Sequence, residues 1–173
     1  SNGYLWISTQ GGLHRYDGYE FKAYTSTPFD TTSLSQSWVW TTTEASNGDI
    51  WVSTNDGGLN RLNPTTGKAI KYQHDPEDSS SISSNITFYA LEATNGDLWV
   101  STFDGGLNRM QAGADTGFLH YRHDPNNPNT ITSDELYWIT EDLEGQIWVG
   151  SSNGINRIDP ETSDKHKENR ENE

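Results

Sequence analysis

Four short runs along the chain begin with three apolar residues, of which the second is always tryptophan, and end with small residues. After each run, a glycine-containing turn leads into a short segment that ends in arginine. β-branched and aromatic residues dominate these runs and no 3.6-residue periodicity competes, which predicts strands rather than helices. The tryptophans lie 45, 48 and 49 residues apart. The four runs are Leu5–Thr9, Ile50–Thr54, Leu98–Thr102 and Ile147–Ser151.

The second repeat reads as four strands separated by turn residues. Asn47-Gly48 is a strong hairpin signal between the first two strands, and Asp56-Gly57-Gly58 turns the chain into the third. A looser turn at Pro64 to Lys68 absorbs length differences between repeats, together with Asp17-Gly18 and Gln111 to Gly117. The predicted strands are Val39 to Glu44, Ile50 to Thr54, Leu59 to Leu62 and Ala69 to Gln73.

Four-stranded antiparallel units of this length, in tandem, are typical of β-propeller blades. We therefore expect an all-β fold, a partial β-propeller that forms an arc of about four blades from a larger propeller. The two terminal blades are expected to be incomplete. The predicted units are 1–25 (last three strands), 38–73, 86–122 and 135–159 (first three strands), followed by a polar tail at 160–173 that we expect to be disordered.

Composition and charge narrow the possible functions. Seven tryptophans and eight tyrosines allow a core built from a few large rings. The net charge of −14 disfavours nucleic acid and anionic membrane surfaces as partners. Without cysteine there is no thiolate metal site, and no apolar run is long enough for membrane insertion. No catalytic motif is visible, so we expect no enzyme activity, no cofactor and no metal.

The repeated motifs resemble the two-component regulator propeller repeat, in which Leu-Trp-Ile-Gly-Thr precedes Gly-Gly-Leu-x-Arg-Tyr-Asp-Pro. The resemblance covers about residues 2–160 and includes the His-Asp-Pro connectors that begin at His74 and His123. The family glycine is retained only at Gly150. The segments that carry the match are Leu5 to Asp17, Ile50 to Pro64, Leu98 to Met110 and Ile147 to Pro160, with serine in place of the glycine at Ser8, Ser53 and Ser101.

The resemblance implies a role outside the cytoplasm. In that family, such repeats form the periplasmic or extracellular sensor region of bacterial histidine kinases, hybrid kinases and diguanylate cyclases, and the ligands are often oligosaccharides. The resemblance thus implies a sensor module in signal transduction, with an oligosaccharide or other small ligand as its partner.

Residues that recur once per repeat are expected to be structural. One tryptophan per blade suits packing between blades, and the recurrence of arginine with glutamate suggests an ion pair or backbone contacts in each blade. The histidines of the connectors and the Asp-Gly-Gly turns are expected to stabilise turns rather than bind metal. The recurring residues are Trp6, Trp51, Trp99 and Trp148, then Arg15, Arg61, Arg109 and Arg157, and Glu44, Glu92 and Glu141.

Positions that differ between repeats are the candidates for ligand binding. Four columns fall at or near the start of the innermost strand, which in a propeller borders the central funnel. We expect aromatic platforms and amide or carboxylate groups for a sugar here, with packing between blades as the alternative. The columns are Ser37/Asn85/Asp134, Trp38/Ile86/Glu135, Trp40/Phe88/Tyr137 and Thr41/Tyr89/Trp138, and the candidate ligand residues are Trp38, Asn85, Tyr89, Asp134 and Trp138.

Three functions therefore remain open from the sequence. The first is a recognition module from a bacterial signalling receptor. The second is a structural or dimerisation segment without a ligand, and the third is an enzyme resembling propeller lyases. In any of these, the remaining blades of a parent protein or a second copy are expected to cover exposed blade faces.

Overall fold

The computed structural model describes residues 3–160, which form fourteen β-strands. The predicted disordered tail lies outside these residues, except for Pro160. The strands are β1 (Leu5–Thr9), β2 (Gly12–Tyr16), β3 (Phe21–Tyr24), β4 (Val39–Glu44), β5 (Ile50–Thr54), β6 (Leu59–Leu62), β7 (Ala69–Tyr72), β8 (Thr87–Glu92), β9 (Leu98–Thr102), β10 (Leu107–Met110), β11 (Leu119–Tyr121), β12 (Leu136–Glu141), β13 (Ile147–Ser151) and β14 (Gly154–Ile158).

The strands form four antiparallel sheets in chain order, which we call blades 1 to 4. Blade 1 is β1–β3, blade 2 is β4–β7, blade 3 is β8–β11 and blade 4 is β12–β14. The first strands β4, β8 and β12 lie side by side, so they form the inner edge of the arc. The predicted all-β partial propeller is confirmed. In blade 2 the first three strands have the predicted bounds, and the fourth ends one residue early, at Tyr72.

The hydrophobic core lies between blades rather than within any one of them. Each of three buried clusters joins two consecutive blades: Leu13 with Val52, Trp51 with Val100, and Trp99 with Val149. A single sheet of three or four short strands cannot enclose its own apolar side chains, so each blade is stabilised by its neighbours.

The second strands of the two middle blades are buried at every position. In β5 and β9 all five residues are buried, whereas in β13 buried and more exposed residues alternate over the first three positions. A sheet covered on both faces buries both sets of alternating side chains. The similar five-residue segments therefore differ in burial because blades 2 and 3 each lie between two described blades.

A glycine in the turn after each of these two strands allows a close approach of the backbone. Gly58 and Gly106 have φ angles of 75° and 71°, a conformation that side chains rarely adopt. A Cβ at Gly58 would overlap the carbonyl oxygen of Tyr72, and one at Gly106 would overlap that of Tyr121. The turn therefore requires glycine in both blades.

Hydrogen bonds donated by the preceding blade link blade 2 to blade 3 and blade 3 to blade 4. The backbone N–H of Ser46, in the first hairpin of blade 2, donates to Glu92 of blade 3 at 3.2 Å. The equivalent N–H of Thr94 in blade 3 donates to Glu141 of blade 4 at 2.8 Å. The Ser101 hydroxyl, which stands where the resembled family has glycine, donates to the Tyr137 carbonyl of blade 4 at 2.8 Å.

Within residues 3–160, the chain contains no helix that is long and apolar enough to cross a membrane.

Candidate functional site

A β-bulge occurs at the same place in all three inner strands. Trp40 is the extra residue between the paired Val39 and Thr41, and Phe88 is the extra residue in β8. In β12, the pairing skips both Tyr137 and Trp138. A bulge disrupts the regular alternation and redirects side chains. The three equivalent bulges therefore present an aromatic residue at the inner edge of each of these blades.

These residues form one continuous row of rings across blades 2, 3 and 4. The ring centroids of Trp38 and Trp40 lie 5.5 Å apart, those of Trp40 and Phe88 lie 5.1 Å apart, and those of Phe88 and Tyr137 lie 5.4 Å apart. Phe103 adds a fifth ring, 5.9 Å from Phe88. Four of the five are 36–42% exposed, and Phe88 is half-buried. We call these five residues the aromatic strip.

A polar hollow of about 440 Å³ borders the strip. It lies between the turns of blades 2 and 3 that contain Asp56 and Asp104, and the connectors leading into blades 3 and 4 supply most of the remaining wall. The Phe103 N–H donates to the carbonyl of Ile86, a lining residue, at 3.0 Å, which links the hollow to the strip. The lining residues with polar side chains are Asp56, His74, Ser83, Ser84, Asn85, Asp104 and Arg122.

The charges around the hollow are predominantly negative. The guanidinium of Arg122 is 3.2 Å from the carboxylate of Asp134, so its positive charge is compensated. The carboxylates of Asp56 and Asp104 are on exposed turn residues. On the strip itself, the Tyr137 hydroxyl donates to Glu135, and this hydrogen bond is the main reason that the pKa of Tyr137 is raised. The Tyr137 hydroxyl is therefore protonated at neutral pH.

Two of the predicted ligand residues stabilise the connectors between blades. The Asn85 side-chain oxygen accepts a hydrogen bond from the His74 N–H at 2.9 Å, and Asp134 accepts one from the His123 N–H at 2.7 Å. Ser37 occupies the same column and accepts from the Ser26 N–H. This column therefore has a shared structural role, although Asn85 also lines the polar hollow.

The other three predicted ligand residues fall into two places. Trp38 lies at one end of the aromatic strip. Tyr89 and Trp138 form a separate pair with ring centroids 4.1 Å apart, and Trp138 is 56% exposed. Burial raises the pKa of Tyr89, which packs against the cluster between blades 3 and 4. The structure thus brings Trp38 and Asn85 to adjoining surfaces, whereas Tyr89 and Trp138 pack on each other.

Sequence reasoning missed several residues of this site. Trp40, Phe88 and Tyr137 align as a column but are not among the predicted ligand residues. Asp56 and Asp104 are predicted only as turn residues, and Phe103 is not singled out. The signal that identifies the three residues of this column is the aromatic side chain present in every copy.

The repeated tryptophans differ in burial according to the position of their blade. Trp51 and Trp99 are buried, Trp6 is half-buried and Trp148 is 36% exposed. The arginine of each repeat lies over an aromatic ring: Arg61 over Trp51, Arg109 over Trp99, Arg157 over Trp148, and Arg15 over Tyr4.

Of the ion pair and the backbone contacts expected for these arginines and glutamates, the structure shows backbone contacts for two glutamates and pairs two arginines with aspartates instead. Arg109 pairs with Asp97 at 2.7 Å, and Arg61 is 3.8 Å from Asp49. Each aspartate immediately precedes the second strand and is therefore close to the arginine on the third strand. Glu92 and Glu141 instead accept hydrogen bonds from the neighbouring hairpin, because they lie at the end of the first strand.

A second hollow, of about 290 Å³, lies between blades 2 and 3 near their first hairpins. Its wall includes Trp51, Arg61 and Glu92, and Arg61 forms an ion pair with Asp115 across it at 3.3 Å. These are packing residues of the repeat, so we assign this crevice to the contact between blades.

The connector histidines have structural contacts, and no cation site is evident near them. The Nδ1 atoms of His74 and His123 lie 2.9 and 2.7 Å from the carbonyl oxygens of Ile82 and Ile131. Among residues 3–160, no group of three or more histidine, aspartate or glutamate side chains is arranged to hold a metal ion.

No family model matches this chain, and no curated protein matches it. Solved structures do match. The extracellular domain of a B. thetaiotaomicron protein described as a hybrid two-component system is similar with a TM-score of 0.75 and 22% identity, over 92% of this chain and 24% of that one. A second such extracellular domain from the same organism has a TM-score of 0.72 and 26% identity, over 94% of this chain and 23% of that one.

Enzymes share the fold as well. A streptogramin B lyase is similar with a TM-score of 0.66 and 21% identity, over 93% of this chain and 49% of that one. The chain spans about a quarter of the length of the two extracellular domains and half that of the lyase. At this identity, the likeness to the lyase shows the fold alone.

Proposed function

We propose that this chain is a segment of the extracytoplasmic sensor propeller of a bacterial two-component receptor, and that it binds an oligosaccharide on the aromatic strip. The aromatic strip carries the proposal. Exposed, mutually contacting rings offer platforms for the apolar faces of sugar rings, while the adjoining hollow offers amide, carboxylate and guanidinium groups for hydroxyls. The likeness to extracellular domains of two-component systems supports a location outside the cytoplasm.

We propose binding without turnover. The connector histidines contact backbone carbonyl oxygens through Nδ1, so this ring atom does not serve as a base for a neighbouring hydroxyl. Incubation of the chain with each bound glycan, followed by product analysis, tests this point. Products that appear with this chain would favour the alternative of a lyase-type enzyme.

A glycan array followed by calorimetric titration tests the binding proposal. Trp40→Ala and Tyr137→Ala remove rings from the middle and one end of the strip. Each is expected to weaken binding at least about fivefold, since ring stacking contributes about 1–3 kcal/mol by analogy with stacked bases. Tyr19→Ala is the matched control, because Tyr19 is a fully exposed ring on blade 1. Binding that is equally strong in all three variants, or absent from the unmodified chain, would contradict the proposal.

We also propose that a further blade, from a parent protein or from a second copy of this chain, packs on blade 4. Blade 3 buries Trp99 against blade 4, while the equivalent Trp148 and the neighbouring Ile155 are exposed. Sedimentation velocity of this chain tests the second-copy form. A monomer at all concentrations would contradict self-association.

A further inference from the structure

The aromatic strip crosses three blades, and this extent limits the size of a ligand that can use it. Trp38 and Trp40 are on or next to β4, Phe88 is on β8 and Tyr137 is on β12. Each ring is within 6 Å of the next, so the row is continuous. One sugar ring can cover only a small part of it. A chain of several sugars can contact rings from all three blades.

The charges beside the strip limit the chemistry of that ligand. Three carboxylates border its length: Asp56 and Asp104 in the hollow, and Glu135 beside Tyr137. The one arginine in the hollow, Arg122, is paired with Asp134. Screening leaves such charges effective over a Debye length of about 8 Å at physiological ionic strength. A ligand that carries repeated negative charges would therefore be repelled along the whole strip.

From this extent and this charge, we propose that the strip selects extended oligosaccharides that are neutral or basic, and excludes acidic glycans such as uronates and sulfated sugars. This inference rests on the proposed oligosaccharide binding and adds the class of ligand. The uncharged rings provide the contact area, whereas the carboxylates accept hydrogen bonds from sugar hydroxyls or ammonium groups and discriminate against anions.

Matched pairs of glycans test the inference. The probes are monosaccharides to hexasaccharides derived from glucan, mannan and galactan, each titrated beside the same glycan with its C6 hydroxyls oxidised to carboxylates. We expect the neutral form to bind at least about tenfold more tightly than the oxidised form, and trisaccharides to bind more tightly than monosaccharides. Added salt should strengthen binding of the oxidised form and leave the neutral form unchanged.

Charge-neutralising variants connect this discrimination to the named residues. The double variant Asp56→Asn/Asp104→Asn is expected to reduce the difference between the neutral and oxidised forms severalfold. Its control, Glu20→Gln/Glu144→Gln, removes the same number of charges from exposed turns of blades 1 and 4 and should leave the difference unchanged. Circular dichroism of both variants verifies that the blades remain folded.

Each outcome bears on a separate claim. Equal or tighter binding of the oxidised glycans would overturn the inference and leave the proposed oligosaccharide binding intact. Unchanged discrimination in Asp56→Asn/Asp104→Asn would also overturn it, because the carboxylates would not be its cause. Binding that does not increase from monosaccharide to trisaccharide would overturn the assignment of an extended ligand. The absence of binding by any neutral or oxidised glycan would overturn the proposed function and the inference together.

Discussion

Strands β9 and β13 have similar sequences, Leu-Trp-Val-Ser-Thr and Ile-Trp-Val-Gly-Ser, but different surroundings. In β9 every residue is buried, including Trp99 at 0% exposure, whereas Trp148 in β13 is 36% exposed. The difference comes from the neighbouring blade, since blade 4 packs against Trp99 and no described blade packs against Trp148. The comparison shows that a repeat motif specifies strand structure locally but obtains its burial from the next copy.

The indole N–H groups of Trp99 and Trp148 also differ in their hydrogen bonding. The Nε1–H group of Trp99 is buried without a hydrogen-bond partner, and so is that of the aligned Trp51. In blade 4, the Trp148 Nε1–H donates to Asp142 at 2.7 Å. The residue aligned with Asp142 is alanine in the middle blades, where Ala93 is buried in the cluster between blades 3 and 4. Close packing requires the small side chain there, and the exposed blade accommodates a carboxylate.

The largest expected change in stability comes from truncating the side chains of Trp99 and Trp148. Trp99→Ala should lower the free energy of unfolding by about 3–5 kcal/mol, because it leaves a cavity at the contact between blades. Trp148→Ala should cost less than about half of that, since its ring is already partly in water. Urea denaturation of both variants measures the difference. Equal losses would show that burial by the neighbouring blade contributes little.

A smaller loss of stability is expected when alanine replaces a turn glycine. Gly106→Ala should destabilise the chain by about 1–3 kcal/mol more than Gly113→Ala, since a Cβ at Gly106 overlaps the Tyr121 carbonyl oxygen. Gly113 has a φ of 78°, close to the 71° of Gly106, but nothing lies within 4 Å of its Cβ position. The two variants thus share backbone strain and differ in the clash. Thermal denaturation that gives the same midpoint for both would contradict this prediction.

The smallest expected effect is the contribution of Asp142 to the pH dependence of folding stability. The hydrogen bond from Trp148 is the largest cause that lowers the pKa of Asp142, and backbone N–H groups of Gln146 and Glu144 add to it. Because the folded-state pKa is below the unfolded value of about 4, this stabilisation is present above that pH and is lost as pH falls through the folded-state pKa.

Denaturation of the unmodified chain and of Asp142→Asn, from about pH 6 down to about pH 2, measures this contribution. The variant should lose less stability on acidification than the unmodified chain does. Asp17, Asp30 and Asp78 also have lowered pKa values, so only the difference between the two proteins reports on Asp142. Parallel curves would contradict the prediction.

The fold was largely predictable because its signals are local and repeated. Asn47-Gly48 indicates a hairpin, and the β-branched and aromatic residues of Ile50–Thr54 indicate a strand with the observed bounds. The burial of Trp99 followed from the expectation of packing between blades. The partner of Arg109 could not be chosen from recurrence alone, because both Asp97 and a glutamate recur with it, and only the strand register brings Asp97 within 2.7 Å.

The candidate site was less predictable, and the reason is the bulge. Regular alternation gives no means to tell which of Phe88 and Tyr89 is the extra residue, and the pairing alone shows that Phe88 is. Asn85 was predicted as a ligand group from its residue type, yet its oxygen accepts the His74 N–H. Such long-range contacts between connector and strand depend on tertiary geometry, which the spacing of residues does not specify.

The hydrogen bonds by which Glu92 and Glu141 complete the preceding hairpin have a consequence for how such a protein evolves. Blade 3 has both a hairpin N–H that the next blade binds and a glutamate that binds the hairpin of the preceding blade. A duplicate of this blade would therefore keep both contacts. Gene duplication can therefore lengthen the array without compensating mutations elsewhere. The inner edge, where Trp40, Phe88 and Tyr137 already differ, can then diversify without loss of these contacts between blades.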